Sequence, residues 1–147
     1  MKKNILGLLL IIGISTNLVA SDRFVRDDTK EVVVDSATNL MWQDDADAKS
    51  VTKTWEDAID YCDNLTLGGY SNWHLPNYNE LWGVADRSRV NLAIDPAFKN
   101  VVSNYYWSSS TLVSDASGAW GVYFNGGYDF GHYKSVSGSV RCVRDNN

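Results

Sequence analysis

The sequence predicts an α+β domain with two helices packed on a twisted, antiparallel, loop-rich sheet. Three observations predict it. Short runs rich in Val, Tyr, Phe and Trp, bounded by Gly, Asn and Asp, fill both ends of the chain. Two amphipathic stretches with recognisable starts lie between them. Apolar residues three and four apart mark a helix face, and alternation at period two marks a half-buried strand. Finally, two cysteines stand far apart, Cys62 on a predicted helix face and Cys142 in a terminal strand.

In chain order, Phe24-Val25-Arg26 and Glu31 to Asp35 read as strands around the turn Asp27-Asp28-Thr29-Lys30. A second turn, Asp35 to Asn39, leads into Leu40-Met41-Trp42-Gln43. Asn39 suits a left-handed position because its short amide tolerates positive φ, and Trp42 is assigned to the core. Asp44 to Thr52 reads as a solvated acidic connection. A helix then starts at Thr54, with Asp57 three residues on as a variant capping box. Trp55, Ala58, Ile59, Cys62 and Leu65 share its apolar face, and Gly68-Gly69 ends it. Tyr70 to Pro76 is extended, since the residue before proline leaves the helical region. Asn77 caps a second helix running to about Asp86, with Glu80 closing the capping box and Leu75 stapling onto Leu81. Residues 87–104 form an irregular excursion, turned at Asp95-Pro96 and anchored by Phe98. Strands follow at 105–109, 119–124, 128–134 and 139–144, with Asn125-Gly126-Gly127 marking a hairpin. Trp55, Trp73 and Trp107 join Trp42 in the core, and Arg141 and Arg144 are read as ion-pair partners near the acidic surface.

Residues 1–20 read as a secretory signal peptide: Lys2-Lys3, an uncharged apolar run from Ile5 to Ile14, and Leu18-Val19-Ala20 before the cut. The run is shorter than the roughly 20 apolar residues of a span. The expectation is a single exported domain, 21–147, in the periplasm or outside the cell, with no membrane span after signal removal. Of 13 basic side chains Lys2 and Lys3 leave with the signal, so 11 face 18 acidic ones, a net charge of −7. Such a balance repels phosphate backbones and excludes nucleic acid as partner. In an oxidising compartment two cysteines most simply form one disulfide, Cys62 to Cys142. Metal ligation would need further Cys or His at paired spacings, and none exist.

The chemistry points away from catalysis and cofactors. His74 and His132 are the only imidazoles. Ser108-Ser109-Ser110 has no activating context, and Gly126-Gly127 lacks the elements of a phosphate-cradling loop. Asp44-Asp45-x-Asp47 lacks the calcium-loop spacing. The stronger lead is Trp120 to Tyr133, with six aromatic side chains besides His132. Alternation sends Trp120, Val122 and Phe124 to one face, and Tyr123 and Asn125 to the other, grouped here with Asp129 and Tyr133 as the exposed set. Tyr brings large contact area at low entropic cost. Tyr123, Asn125, Tyr128, Asp129, His132 and Tyr133 are the candidate ligand-binding residues.

Across Asn39-Leu40-Met41-Trp42, Trp55 through Cys62, Gly68 through Pro76, Glu80-Leu81, Trp107-Ser108-Ser109 and Val140 through Val143, the chain resembles a bacterial family of secreted domains of unknown function. It is named after the C-terminal domain of the Legionella collagen-like adhesin. Asn39 stands where that pattern has Gly, and His74 where it has Arg. The resemblance implies a fold related to C-type lectins and the formylglycine-generating enzyme, in which a disulfide ties the first helix to the final strand. It also implies sulfated-polysaccharide binding and trimerisation, which the acidity argues against here. The expected function is a non-enzymatic, adhesin-like module recognising a glycan or a protein at the cell envelope or a host surface. The alternatives are a periplasmic assembly component making only protein contacts, and an enzyme on a formylglycine-generating-enzyme-like fold. Ligand identity, calcium dependence and homo-oligomerisation stay open.

Overall fold

The computed structural model describes residues 22–147, so the predicted signal segment lies outside the described residues. The architecture is α+β, with three short helices and two sheets rather than one. The first sheet is a meander of β1 (Phe24–Asp27), β2 (Val32–Asp35) and β3 (Leu40–Gln43), closed by the last strand, β9 (Val143–Asp145). Its turns are local chemistry. The Asp27 carboxylate accepts from the N–H groups of Thr29 and Lys30, and Asn39 takes φ 56° as its residue type allows. The second sheet has the order β4 (Thr52–Lys53), β8 (Gly138–Ser139), β5 (Tyr105–Thr111), β6 (Gly118–Tyr123), β7 (Tyr128–Tyr133). Its pairings are antiparallel except β5 with β8.

The polar connection after β3 is not solvated throughout. It holds a four-residue helix, α1 (Asp47–Ser50), and Asp44 is fully buried. α2 (Trp55–Asp63) follows with the predicted face: Ala58 and Cys62 are buried, and Trp55, Ile59 and Leu65 pack against the same core. Its capping box does not form. The Thr54 hydroxyl donates to the Asp57 carboxylate at 2.9 Å and caps no backbone N–H. Gly68 and Gly69, at φ 62° and 82°, do not end the helix, which has already stopped at Asn64. They form the turn of a tight bridge between Leu67 and Tyr70, whose double left-handed geometry glycine meets without Cβ strain. α3 (Tyr78–Gly83) carries the predicted capping box in full: Asn77 accepts from the Glu80 N–H, and Glu80 from the Asn77 N–H. It stops at Gly83, short of Asp86. Leu75 and Leu81 are both buried but in different cores, so they form no staple.

The second sheet is packed on both faces. On one side α2, Trp73, Leu75 and both cysteines meet Tyr105, Trp107 and Ala119. On the other Leu81, Val84, Ile94 and Phe98 meet Tyr106, Val122 and Phe124. Trp42, Trp73 and Trp107 are core as expected, while Trp55 is half-buried with the Lys134 ammonium 3.9 Å from its ring centroid. The predicted last strand is broken at Val140–Cys142, where the chain leaves one sheet for the other. There Cys142 bonds to Cys62 of α2, with Cα atoms 5.4 Å apart. Arg141 is an ion-pair partner, but a fully buried one rather than a surface one: its Nη1 lies 2.9 Å from Asp44 Oδ1. Arg144 forms no ion pair within 4.0 Å. It donates to the Ser71 carbonyl and lies over the Tyr70 ring.

Candidate functional site

The β6–β7 hairpin holds the predicted residues, and its register decides which of them meet. Tyr123 pairs with Tyr128, Gly121 with Phe130, and Ala119 with His132. Directly paired residues share a face, so Tyr123, Tyr128, Phe130 and His132 stand together. Asp129 and Tyr133 lie on the opposite face, beside Val122, Trp120 and Gly118. This corrects the grouping of Tyr123 with Asp129 and Tyr133. That grouping treats Asn125-Gly126-Gly127 as the loop, whereas Phe124 is also outside the ladder and sits in the core. One residue of loop length changes the parity of every pair.

The shared face is a graded aromatic surface. At its base Tyr105 and Trp107 of β5 are buried edge to face, with centroids 4.9 Å apart. The Tyr105 hydroxyl donates to the Ala119 carbonyl at 3.0 Å, and burial pushes this phenol well above the usual tyrosine range. Gly121 makes this possible: a Cβ there would lie 2.3 Å from the Tyr105 ring and from the Tyr106 carbonyl oxygen. Tyr123 packs on Tyr105 at 5.2 Å, and His132 on Tyr105 at 5.5 Å. Outermost are Tyr128, stacked on Tyr123, and Phe130, beside both Tyr123 and His132. They remain 48% and 53% exposed. Asn125, at the exposed loop, reaches the Tyr128 hydroxyl at 3.4 Å.

On the other face Asp129 is engaged, since Tyr78 of α3 donates its hydroxyl to Asp129 Oδ2 at 3.0 Å. Tyr78 also packs on Trp120 and stacks on Trp82, and Arg87 caps Trp82 at 3.3 Å. Tyr133 is 62% exposed and lines an open cleft of about 400 Å³ between β7 and Leu112, Ser114 and Asp115.

The structure brings neither imidazole into a hydrogen bond with a serine or aspartate among the described residues. His74 lies 3.4 Å from Glu80, and the His132 ring is surrounded by Tyr105, Trp107 and Phe130. Ser108 is buried and donates to the Trp120 carbonyl. Among the described residues no group of three or more acidic, His or Cys side chains is placed to hold a metal, and no helix is long and apolar enough to cross a membrane.

The model of the Lcl C-terminal domain family matches residues 31–144, a stretch that contains both cysteines and the whole hairpin. The chain belongs to this family. No curated protein matches it. In this Lcl C-terminal domain the departure at His74 has a structural place. His74 is bridged through its backbone to Val143 of β9 and pairs by its side chain with the capping residue of α3. Phe130, Tyr105 and Trp107 are the members of the aromatic face absent from the predicted set. The parity of the hairpin was the missing signal for Phe130. For Tyr105 and Trp107 it was the alternation of β5.

Proposed function

We propose that this chain is an exported, non-enzymatic binding module of C-type-lectin-like architecture, recognising a glycan at the cell envelope or a host surface. Tyr128 and Phe130 carry the reading: two half-exposed rings side by side on one face, held by buried Tyr105 and Trp107. Rings fixed in advance lose little entropy on contact and offer flat apolar area to the C–H faces of a sugar. Asn125 supplies a donor and acceptor at the rim. The acidic balance favours neutral or cationic glycans over sulfated ones. A glycan array followed by calorimetry of the hits tests this. Tyr128→Ala and Phe130→Ala should each weaken binding about tenfold without shifting the unfolding midpoint by more than a degree or so. Silence on the array, or hits indifferent to both variants, removes the reading. The second reading, a component that makes only protein contacts, is favoured by the open edge of β7.

A further inference from the structure

We infer that β7 is a self-association edge: two copies of this chain pair antiparallel, β7 against β7, about a two-fold axis at Gly131. The inference stands on the sheet edge and is independent of the glycan reading.

The two sheets have four terminal strands, and only one is both long and open. Unpaired strand edges invite pairing, so folded proteins shorten, charge, bulge or cover them. β4 is two residues long. β9 is covered by the backbone bridge from His74, with N–H to O distances of 2.8 and 2.9 Å in the two directions. β1 is four residues ending in Arg26 and Asp27. β7 has six residues in unbroken register with β6 and contains no proline and no bulge. Its single charge, Asp129, is tied to Tyr78 on its own face.

The hydrogen-bond phase fixes which backbone groups point outward. Lys134 donates to the Ser117 carbonyl at 2.9 Å, and inward-bonding pairs alternate along an antiparallel ladder. Residues 128, 130 and 132 therefore bond to β6, and Asp129, Gly131 and Tyr133 present their backbone outward. The Tyr133 N–H meets only the ring nitrogen of its neighbour His132, at 3.2 Å. A two-fold axis at Gly131 sets Gly131 against Gly131 and Asp129 against Tyr133 of the second copy. Phe130 then stands across from His132 of the second copy, an aromatic cross-strand pair.

Charge selects a second copy as the occupant. A chain with net charge −5 repels itself over most of its surface. This strand brings no like charges together in the two-fold register, because its one carboxylate meets a tyrosine. The pairing is isologous, as expected of a closed dimer. It uses the plane of the sheet, so the face bearing Tyr128 and Phe130 stays open. The contact is small, which places the dimer in the micromolar range rather than the nanomolar.

Sedimentation equilibrium on the purified chain tests this, together with amide hydrogen exchange at low and high concentration. A monomer–dimer equilibrium is expected, with exchange at Asp129 and Gly131 slowing as concentration rises and exchange at Phe130, already bonded to β6, unchanged. Gly131→Lys and Gly131→Glu place like charges on the axis and should each weaken the dimer at least about tenfold; mixed in equal amounts, the two should pair again. A Cβ at Gly131 meets the flexible end of Leu112 at 2.7 Å, so a circular-dichroism check of folding accompanies each variant. The exchange measurement needs no substitution. A chain that stays monomeric to about millimolar concentration overturns the inference. So does a dimer or trimer that leaves the amides of Asp129 and Gly131 unprotected.

Discussion

Replacing Asp44 by Asn should be among the most damaging single-atom changes in this protein. The Asp44 carboxylate is fully buried. It is held by Arg26 and by Arg141, the latter at 2.9 Å, and it accepts the backbone N–H groups of Lys99 at 2.9 Å and Asn100 at 3.1 Å. Arg141 has no exposed surface, and its other bonds go to the carbonyls of Gln43 and Asn100. An asparagine keeps the shape but removes the charge between two guanidinium groups, and its NH₂ turns donors toward donors. Breaking a buried pair in this way costs about 3–5 kcal/mol, because the remaining charge is left uncompensated. Domains of this size are stable by about 5–15 kcal/mol, and each kcal/mol shifts Tm by about 3–5 °C. The expected drop is therefore about 10–20 °C. Urea unfolding followed by tryptophan fluorescence measures it, with Asp47→Asn at an exposed neighbour as control, expected within about 0.5 kcal/mol of the parent. The burial also makes the loss insensitive to salt. If Asp44→Asn costs under about 1 kcal/mol, or 1 M salt erases the difference, the buried-charge argument is refuted.

Three further outcomes follow from the structure. The Cys62–Cys142 bond spans 80 residues, so Cys62→Ala/Cys142→Ala should lose about 4–5 kcal/mol on the loop-entropy estimate, visible as a lower urea midpoint that reductant no longer changes. The bond with Glu80 raises the His74 pKa, while for Glu80 the opposing effect of burial is outweighed by His74 and the Asn77 N–H, leaving its carboxyl lowered. A raised imidazole stabilises the fold below its unfolded pKa, and that contribution is lost as pH rises through the folded one; a half-exposed pair is worth at most about 1 kcal/mol. Parent and His74→Ala should therefore differ most in stability near pH 5.5 and converge by about pH 8.5, whereas a difference that grows with pH contradicts the assignment. Gly121→Ala should cost about 1–3 kcal/mol or more, since one of its two 2.3 Å clashes is with backbone that cannot rotate away; a variant as stable as the parent in thermal unfolding would show that Tyr105 does not lie flat on that glycine.

Local rules carried much of the fold into the sequence. The Asn77 cap, the Asn39 turn, the apolar stripe of α2 and the pairing of Cys62 with Cys142 each depend on a few neighbouring residues or on a count of two. Asp44 did not show itself, because nothing nearby marks it as buried: its partner Arg141 is 97 residues away. β4 and β8, two residues each, are too short to carry a period, so the second sheet's inner edge was invisible. The aromatic hairpin was legible as a candidate site but not its faces. Those hinge on whether Phe124 belongs to strand or loop, and the core contact that decides it comes from Asn104, whose carbonyl accepts the Phe124 N–H.

The chain places β8 inside one sheet and β9 at the end of the other, with the disulfide partner between them. Until residues beyond 137 are available, neither sheet can close and Cys62 has nothing to bond. Synthesis and translocation would thus deliver an open chain almost to its last dozen residues, with its tryptophans unprotected for most of that time. Contacts at such long sequence separation form slowly, and a premature stop near the end would leave a fragment with no closed body for quality-control proteases to spare.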